Sequence, residues 1–489
     1  MKYLYTGEQA KAIDAHAIHN MEMPSQVLME RAAMSIAAVL MNREPKDAKI
    51  LAVCGTGNNG GDSVAAARIL HEQGYYAAIT VVGNEEHMTE EMKKQLKLAM
   101  NCRVPVLPLS SITDGVFDVF LDGIFGIGLS RKVTDVYASV IESINGFSSS
   151  RCYAIDIPSG ICAGTGAVLG TAIKADVTVT FGVNKIGLVL HPGCEYAGEV
   201  FVTDIGFPKA SIAAVKADAY FYEKEDLLRM PKRYARSNKG SYGHVLVVAG
   251  SEDMCGACFL AAKAAYIAGS GLVRVITTEN NRAALLTALP EILFSTRDEL
   301  ADGMEWADAI VAGPGIGLSK QSEGMIKELL SHAAVPTVLD GDAIPICSRL
   351  TDSVPDNFIM TPHVKEMTFL TGKSVPELLE DITGSTRAAA TKWGCVIAQK
   401  DARTVVSTGE ETYINVSGNH GMATGGSGDV LAGFTGGLLA QKMKPFEAAK
   451  LAVYIHGLAG DVIRNEKTAY CLLASDLLDG IAMVLKDGL

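Results

Sequence analysis

The sequence predicts an α/β protein built as two doubly wound domains. Three observations carry that prediction. Short β-branched runs alternate with helical patterns along the chain, as parallel sheets covered on both faces require. Two glycine-rich segments, one opening at Gly55 and one at Gly421, each lead directly into a helical run. Glycine also makes up 49 of the 489 residues, above the usual ~7%, which suits many tight strand-to-helix turns.

In the first half the expected strands are Lys49–Cys54, Ala78–Val82, Val116–Leu121, Cys152–Ile157, Val177–Phe181 and Val200–Asp204. The pattern restarts at Gly243–Ala249 and runs on through Leu272–Thr277, Ala309–Ala312, Thr337–Leu339, Phe358–Met360 and Cys395–Gln399. Between the halves lies a charged, poorly periodic segment, Tyr222–Asn238, broken by Pro231. One sheet of a dozen strands is unusual. The boundary therefore falls near residue 220, with domains at 1–218 and 225–489.

The formal net charge of −12 repels a phosphate backbone, and no basic run outweighs it. The densest basic stretch, Arg229–Lys239, reads as a solvated linker. The N-terminus lacks the apolar core of a signal peptide, and the most apolar window, Ala257–Ile276, is interrupted by Lys263 and Arg274. Ten cysteines lie scattered, and apolar surroundings at Cys54, Cys152, Cys395 and Cys471 point to buried reduced thiols. Cys255 and Cys258 form a single CxxC with no second pair, so helix packing is favoured over metal or redox chemistry. These features predict a cytoplasmic protein that binds neither nucleic acid nor membrane.

The strand Lys49–Cys54 runs into Gly55-Thr-Gly57-Asn-Asn-Gly60-Gly61-Asp62, with a helix expected over Ser63–Gln73. The spacing matches the dinucleotide fingerprint G-x-G-x-x-G. Yet Asp62 falls where helix amides receive pyrophosphate, and its carboxylate repels that anion. A plain reading makes Asp62 an N-cap of a tight turn. Two further loops follow strands, one opening at Asp122 and running to Lys132, the other spanning Asp156 to Gly160. In a doubly wound sheet such strand ends form the ligand crevice, so Asn59, Asp122 and Ser159 can bring amide, carboxylate and hydroxyl oxygens together. Hard cations favour such oxygens, although each residue taken singly reads as a cap.

GTGNNGGD, DGIFGIGL, AIDIPSGICAGTG and ADVTVTFGVNKIGLVLHPG occur in the order seen in the NAD(P)H-hydrate epimerase family, which residues 1–215 resemble. The resemblance implies a Rossmann-like domain. It also implies that Asn58, Asn59, Gly60, Gly61, Asp62, Gly126, Ile127, Gly128, Leu129, Ser130, Arg131, Lys132 and Asp156 contact a hydrated nicotinamide nucleotide. By the same resemblance Asn59, Asp122 and Ser159 hold potassium. Epimerisation at the hydrated carbon needs no net redox, only help with ring opening or hydroxide loss. Asp156 is a plausible acid/base for this, and Lys185 a weaker candidate. The chain departs from the family pattern at Ser63, usually glycine, and at Arg31, usually asparagine.

Asn419-His-Gly421-Met-Ala-Thr-Gly425-Gly426-Ser-Gly428-Asp429 precedes an apolar helix expected over Val430–Gln441. Successive glycine amides at a helix start make an anion hole for a transferring phosphoryl group. Asp429 then sits beside the acceptor and takes its hydroxyl proton. The arrangement resembles the ribokinase-like superfamily. KGSYGHVLVVAGS, AGPGIG, LDGDA and TPH narrow residues 225–489 to a resemblance with ADP- or ATP-dependent NAD(P)H-hydrate dehydratase. It implies that Ala257, Gly317, His363 and Asp429 touch the substrate, and that Lys400, Asp401, Ala402, Arg403, Thr404 and Gly428 hold the adenine nucleotide.

Simpler readings exist for two of these. Thr361-Pro362 is a ready N-cap and first-turn pair, and Lys400–Thr404 reads equally as a hairpin turn. Val364-Lys365 stand where the family commonly has Pro-Gly, and no Walker motif occurs.

Together the resemblances imply repair of hydrated NADH and NADPH (NADHX and NADPHX). The R and S forms interconvert in the first domain. In the second, Asp429 deprotonates the ring hydroxyl of the S form, which attacks the terminal phosphoryl of ADP. The phosphate ester then leaves, giving NAD(P)H, AMP and phosphate, with magnesium offsetting the diphosphate charge. A homo-oligomer is expected. The rival readings are a ribokinase-superfamily vitamin-precursor kinase with an accessory binding domain, a first half that is only a binding scaffold, and an NAD-dependent dehydrogenase, which Asp62 disfavours.

Overall fold

The computed structural model describes residues 1–488, which divide into two compact units: Tyr3–Ala219, and Met1–Lys2 with the chain from Tyr220 onward. The first unit holds a parallel six-stranded sheet in the order Tyr76–Val81, Lys49–Cys54, Val119–Gly123, Arg151–Ile155, Val177–Phe181, Glu199–Thr203. From Lys49–Cys54 the chain steps to Tyr76–Val81 on one side, then returns to Val119–Gly123 on the other. That reversal opens a crevice at the carboxyl ends of the two central strands. Cys54 pairs with Gly123 there, so the loops that follow them start side by side.

Alternation along Lys49–Cys54 feeds two cores. Ile50, Ala52 and Cys54 pack on one face with Leu28, Ile36 and Val64. Leu51 and Val53 pack on the other with Phe120, Val140 and Ile141. Burial on both faces is why this strand reads as a continuous apolar run. A short parallel pairing of Lys2–Tyr5 with Asn184–Lys185 sets Tyr5 opposite Lys185.

The second unit is also doubly wound. Its strands run Leu293–Thr296, Leu272–Thr277, His244–Val248, Ala309–Ala312, Thr337–Leu339, Phe358–Met360 and Val396–Gln399, all parallel. Val405–Ser407 and Thr412–Ile414 extend it as an antiparallel meander. The order reverses between His244–Val248 and Ala309–Ala312. Val245 and Val247 face one core while Leu246 and Val248 face the other.

Several expectations need correction. Tyr222–Asn238 is not a loose linker throughout. Tyr222 is 2% exposed and packs its ring 4.9 Å from Tyr413 and 5.8 Å from Tyr454. Leu227 is buried, and Asp226 Oδ2 takes the Met1 amine at 2.8 Å. Beyond Met230 and Pro231 the basic stretch is exposed. All ten cysteines are free thiols, but Cys471 is exposed rather than buried. The CxxC serves helix packing: Cys258 Sγ donates to the Cys255 carbonyl at 2.9 Å, and burial pushes the Cys258 thiol up to about 12. Among the described residues no helix is long and apolar enough to cross a membrane.

Candidate functional site

The first unit carries a cleft of about 540 Å³ at its strand-order reversal. The helix on its floor starts at Asn58, capped by Gly57, and runs to Glu72. It thus begins five residues before the expected Ser63, and Asp62 lies within it rather than capping it. Glycine makes this early start possible. A Cβ on Gly60 would lie 1.9 Å from the Gly55 carbonyl oxygen, and one on Gly55 would lie 2.0 Å from the Ile124 oxygen. Gly60 and Gly61 are therefore buried beneath the cleft, while Asn58, Asn59 and Asp62 line it.

Asp122, next to last in its strand, is fully buried. Its Oδ1 accepts from Ser159 Oγ at 2.5 Å and from the Ile124 amide at 3.3 Å, and its Oδ2 accepts from the Ser159 amide at 2.7 Å. Burial pushes its carboxyl up to about 6, and the Ser159 hydrogen bonds oppose that rise. The Phe125 amide donates to Ser159 Oγ at 2.8 Å. A Cβ on neighbouring Gly126 would lie 3.0 Å from Asn59 Oδ1. Asn59 Nδ2 is buried without a partner among the described residues. An amide assigned the other way round would turn an acceptor oxygen to that position. Asp122 and Ser159 thus meet past their strands, with Asn59 beside Gly126 at the adjoining helix start, and the three carry a single formal charge. That set suits a monovalent cation better than a divalent one, which recruits more carboxylates.

Asp156 adopts φ 67° without being glycine, a conformation costing about 1–3 kcal/mol that surrounding contacts must hold. Its Oδ1 accepts from Lys185 Nζ at 2.6 Å and from Thr180 Oγ1 at 3.1 Å. Lys185 is 2% exposed. Asp62 is held well above the carboxylate range by burial first, then by the charges of Asp156 and Asp14. Gly126, Ile127, Gly128, Leu129, Ser130 and Arg131 form one wall, whereas Lys132 lies outside the lining. Arg31 packs against Gly206 and also stays out of the cleft.

Sequence reasoning missed Asp14 and Lys11. Both line the cleft from the helix Gly7–His19, on the face marked by Ala10, Lys11, Asp14 and Ile18. That helical spacing was the available signal.

In the second unit the helix Ser427–Ala440 starts after Gly426, whose φ of 92° only glycine adopts cheaply. The amides of Gly428 and Asp429 fall in its first turn, where no intrahelical acceptor exists. His456 Nε2 lies 3.0 Å from the Ser427 carbonyl, and burial pushes this histidine down to about 4, so it is neutral and donates to that carbonyl. Asp429 is pushed up to about 7 by burial and by Asp340 and Asp342, with Lys400 opposing. Lys400 Nζ sits 2.5 Å from Asp340 Oδ1, which also accepts from Thr361 Oγ1 at 2.6 Å. A Cβ on Gly428 would come within 3.1 Å of that ammonium.

His363, not Thr361, caps the next helix, Val364–Thr371. Its amide donates to Glu366 Oε2 at 2.8 Å and its Nδ1 accepts from the Glu366 amide at 3.1 Å. Thr361 is buried on Asp340 instead, and Val364 begins the helix where the family pattern has proline. The Gly317 amide donates to Asp342 Oδ2 at 2.9 Å, and Ala257 is buried under the turn at Gly315.

Lys400, Gly428 and Asp429 therefore meet, and Asp342 ties Gly317 to the group. Arg403 turns to the Val416 carbonyl at 2.7 Å, while Asp401 and Ala402 are exposed in the hairpin before Val405–Ser407. Asp340, Asp342, Glu366 and His456 were missed as site residues. The first two flank a glycine just past a strand end, a legible signal. Burial pushes Glu366 up to about 7. Among the described residues no three His, Cys, Asp or Glu side chains group closely enough to chelate a metal by themselves.

Residues 245–482 match the family described as NAD(P)H-hydrate dehydratase, and residues 25–187 the one described as YjeF-related protein N-terminus. Proteins named bifunctional NAD(P)H-hydrate repair enzyme Nnr are similar over nearly the whole chain. The one from Thermofilum pendens is 33% identical, covering 98% of this chain and 95% of its own. The one from Coxiella burnetii is 32% identical, covering 99% and 100%. Among solved structures, the ADP/ATP-dependent NAD(P)H-hydrate dehydratase of Bacillus subtilis, co-crystallised with ATP and magnesium, aligns with TM-score 0.51 and 30% identity over 56% of this chain and 99% of that one. A ribokinase-like superfamily protein from Enterococcus faecalis aligns with TM-score 0.52 and 30% identity, covering 55% and 96%.

Proposed function

This chain belongs to the family of bifunctional NAD(P)H-hydrate repair enzymes, and from that premise we propose how its two units divide the work. The first interconverts the R and S epimers of hydrated NADH and NADPH. The second dehydrates the S epimer at the expense of ADP, yielding NAD(P)H, AMP and phosphate. One observation carries the second half: Asp429, its carboxyl at about 7, stands in the first turn of a glycine-started helix. A general base works best near the ambient pH, and free first-turn amides stabilise a transferring phosphoryl group.

Hydroxide is a poor leaving group. Asp429 removes the hydroxyl proton of the hydrated carbon as its oxygen attacks the terminal phosphorus of ADP and the bond to the α-phosphate oxygen breaks. The phosphate ester then leaves, driven by the ring nitrogen lone pair, and loss of the neighbouring C–H proton restores the dihydropyridine. Lys400, beside Gly428 at the same helix start, is suited to hold the diphosphate. A magnesium ion bound with ADP would offset charge on the diphosphate, and Asp340 and Asp342, beside Asp429, are the carboxylates that would hold it. In the first unit Asn59, Asp122 and Ser159 are suited to a potassium ion that fixes the floor of the epimerase cleft.

The test is to incubate the protein with hydrated NADH and ADP, following near-ultraviolet absorbance and the phosphorus NMR spectrum together. Regained dihydropyridine should match AMP and inorganic phosphate mole for mole. A stable phosphorylated product without regained absorbance would replace this reading with a small-molecule kinase.

A further inference from the structure

Asp14, Asp62, Asp156 and Lys185 bring ionisable side chains from four elements to the cleft of the first unit. Asp14 comes from the helix Gly7–His19, Asp62 from the helix Asn58–Glu72, Asp156 from the turn after Arg151–Ile155, and Lys185 from the strand Asn184–Lys185. The Lys185 ammonium is committed to Asp156. Lys185 Nζ lies 2.6 Å from Asp156 Oδ1 and donates its remaining protons to Thr180 Oγ1 at 2.8 Å and the Phe181 carbonyl at 3.0 Å. Asp156 Oδ1 also accepts from the Phe181 amide at 3.4 Å, so three donors hold it in place. Asp62 and Asp14 have no hydrogen-bond or ion-pair partner among the described residues. The other titratable or charged groups on the lining are Lys11, Glu91, Arg131 and Tyr137, and His19 stands near Asp14. Carboxylates whose surroundings differ this much take opposite roles in proton transfer.

We propose that Asp156 is the general base of the first site and Asp62 its general acid, with Asp14 a positioning residue that acts through Asp62 by keeping a proton on it. The assignment rests on the epimerase reading above and deepens it. Asp156 takes the hydroxyl proton from the hydrated carbon as the bond from that carbon to the ring nitrogen breaks. Asp62 delivers its proton to the nitrogen, so the ring opens to an aldehyde and an N–H enamine. Rotation about the adjacent carbon–carbon bond presents the other carbonyl face. The nitrogen then re-attacks, its proton returns to Asp62, and Asp156 returns its own to the oxygen. No electron is gained or lost, and substrate and product have one composition. Burial raises the Asp14 carboxyl less than that of Asp62, so Asp14 ionises first. Its charge then opposes ionisation of Asp62.

The experiment uses the full chain with hydrated NADH and no ADP, reading epimer exchange by proton NMR from about pH 6 to 9 in wild type, Asp14→Asn and Asp14→Glu. The wild-type rate should fall at high pH, where Asp62 loses its proton. Asp14→Asn removes the opposing charge, so this falling limb moves lower by about one on the pH scale, a roughly tenfold loss along it. Asp14→Glu restores the profile. A carbon NMR titration of the Asp62 carboxyl should move in the same direction, independent of turnover. Catalysed exchange with an unmoved limb and an unmoved Asp62 titration overturns this assignment alone. Wild-type exchange no faster than in solution overturns the epimerase reading and this assignment with it.

Discussion

Replacing Asp429 by Asn should destroy dehydration and stabilise the second unit. The carboxyl is raised from 3.8 to about 7, chiefly by burial. A tenfold change in an ionisation constant is worth about 1.4 kcal/mol, so the ionised form carries a penalty of roughly 4 kcal/mol before relaxation. Water entry and movement of Lys400 reduce this to about 1–3 kcal/mol. Because the folded-state value is raised, the folded chain binds more protons than the unfolded one between pH 3.8 and about 7. Wild-type stability therefore falls as pH rises through that window. Asn carries no such penalty, so its advantage should be small near pH 4 and full above pH 7. A domain of this size gains about 2–4 °C per kcal/mol, so a rise of roughly 3–8 °C at pH 8 is expected by calorimetry. ADP-dependent recovery of dihydropyridine should fall by about 10²–10⁴-fold, as loss of a general base requires. In the wild type the same activity should rise with pH and level off above about 7. An Asn variant that keeps its dehydratase rate, or melts lower at pH 8, would refute the reasoning.

Epimer exchange should run faster in potassium than in tetramethylammonium, and Asp122→Ala should abolish that difference. If only stability changes, by the roughly 0.5–2 kcal/mol of a lost cap, no cation is held there. Gly60→Ala should unfold the first unit or cost it several kcal/mol in denaturant titration, because the added Cβ meets the Gly55 carbonyl oxygen at 1.9 Å. Lys400→Met strands buried Asp340, costing about 3–5 kcal/mol. It also moves the rising limb of the dehydration pH profile above about 7, since Lys400 is the group that lowers Asp429.

The central strands of both sheets are legible in the sequence because burial on both faces makes them apolar runs, as in Lys49–Cys54 and Ala309–Ala312. Five short strands are not. Lys2–Tyr5, Asn184–Lys185, Ala219–Phe221, Leu293–Thr296 and Thr412–Ile414 span two to four residues and are set by neighbours distant in sequence. The glycine loops announce themselves, since a Cβ clash at Gly55 or Gly60 leaves no other residue type. Asp62 lies on the loop that the sequence points to but does not cap its helix, because the helix start depends on how closely Gly55 approaches Gly60. Asp14 is faint in the sequence: its spacing with Ala10, Lys11 and Ile18 marks a helix face, but one acid on a helix that also exposes Glu8 and Lys11 looks like solvated surface. Tyr222 and Leu227 hide inside a charged stretch, and only Tyr413 and Tyr454 explain their burial.

One chain, on this reading, performs two successive repairs. That succession is tested most directly by the yield of dihydropyridine from a mixture of both epimers with ADP, measured before the epimers exchange in solution. Wild type should restore the whole mixture. Asp156→Asn, whose second site is intact, should stop quickly at the share of the S epimer. Should wild type also stop at that share, or should Asp156→Asn restore the whole mixture just as fast, the first unit does not supply the second in the way proposed.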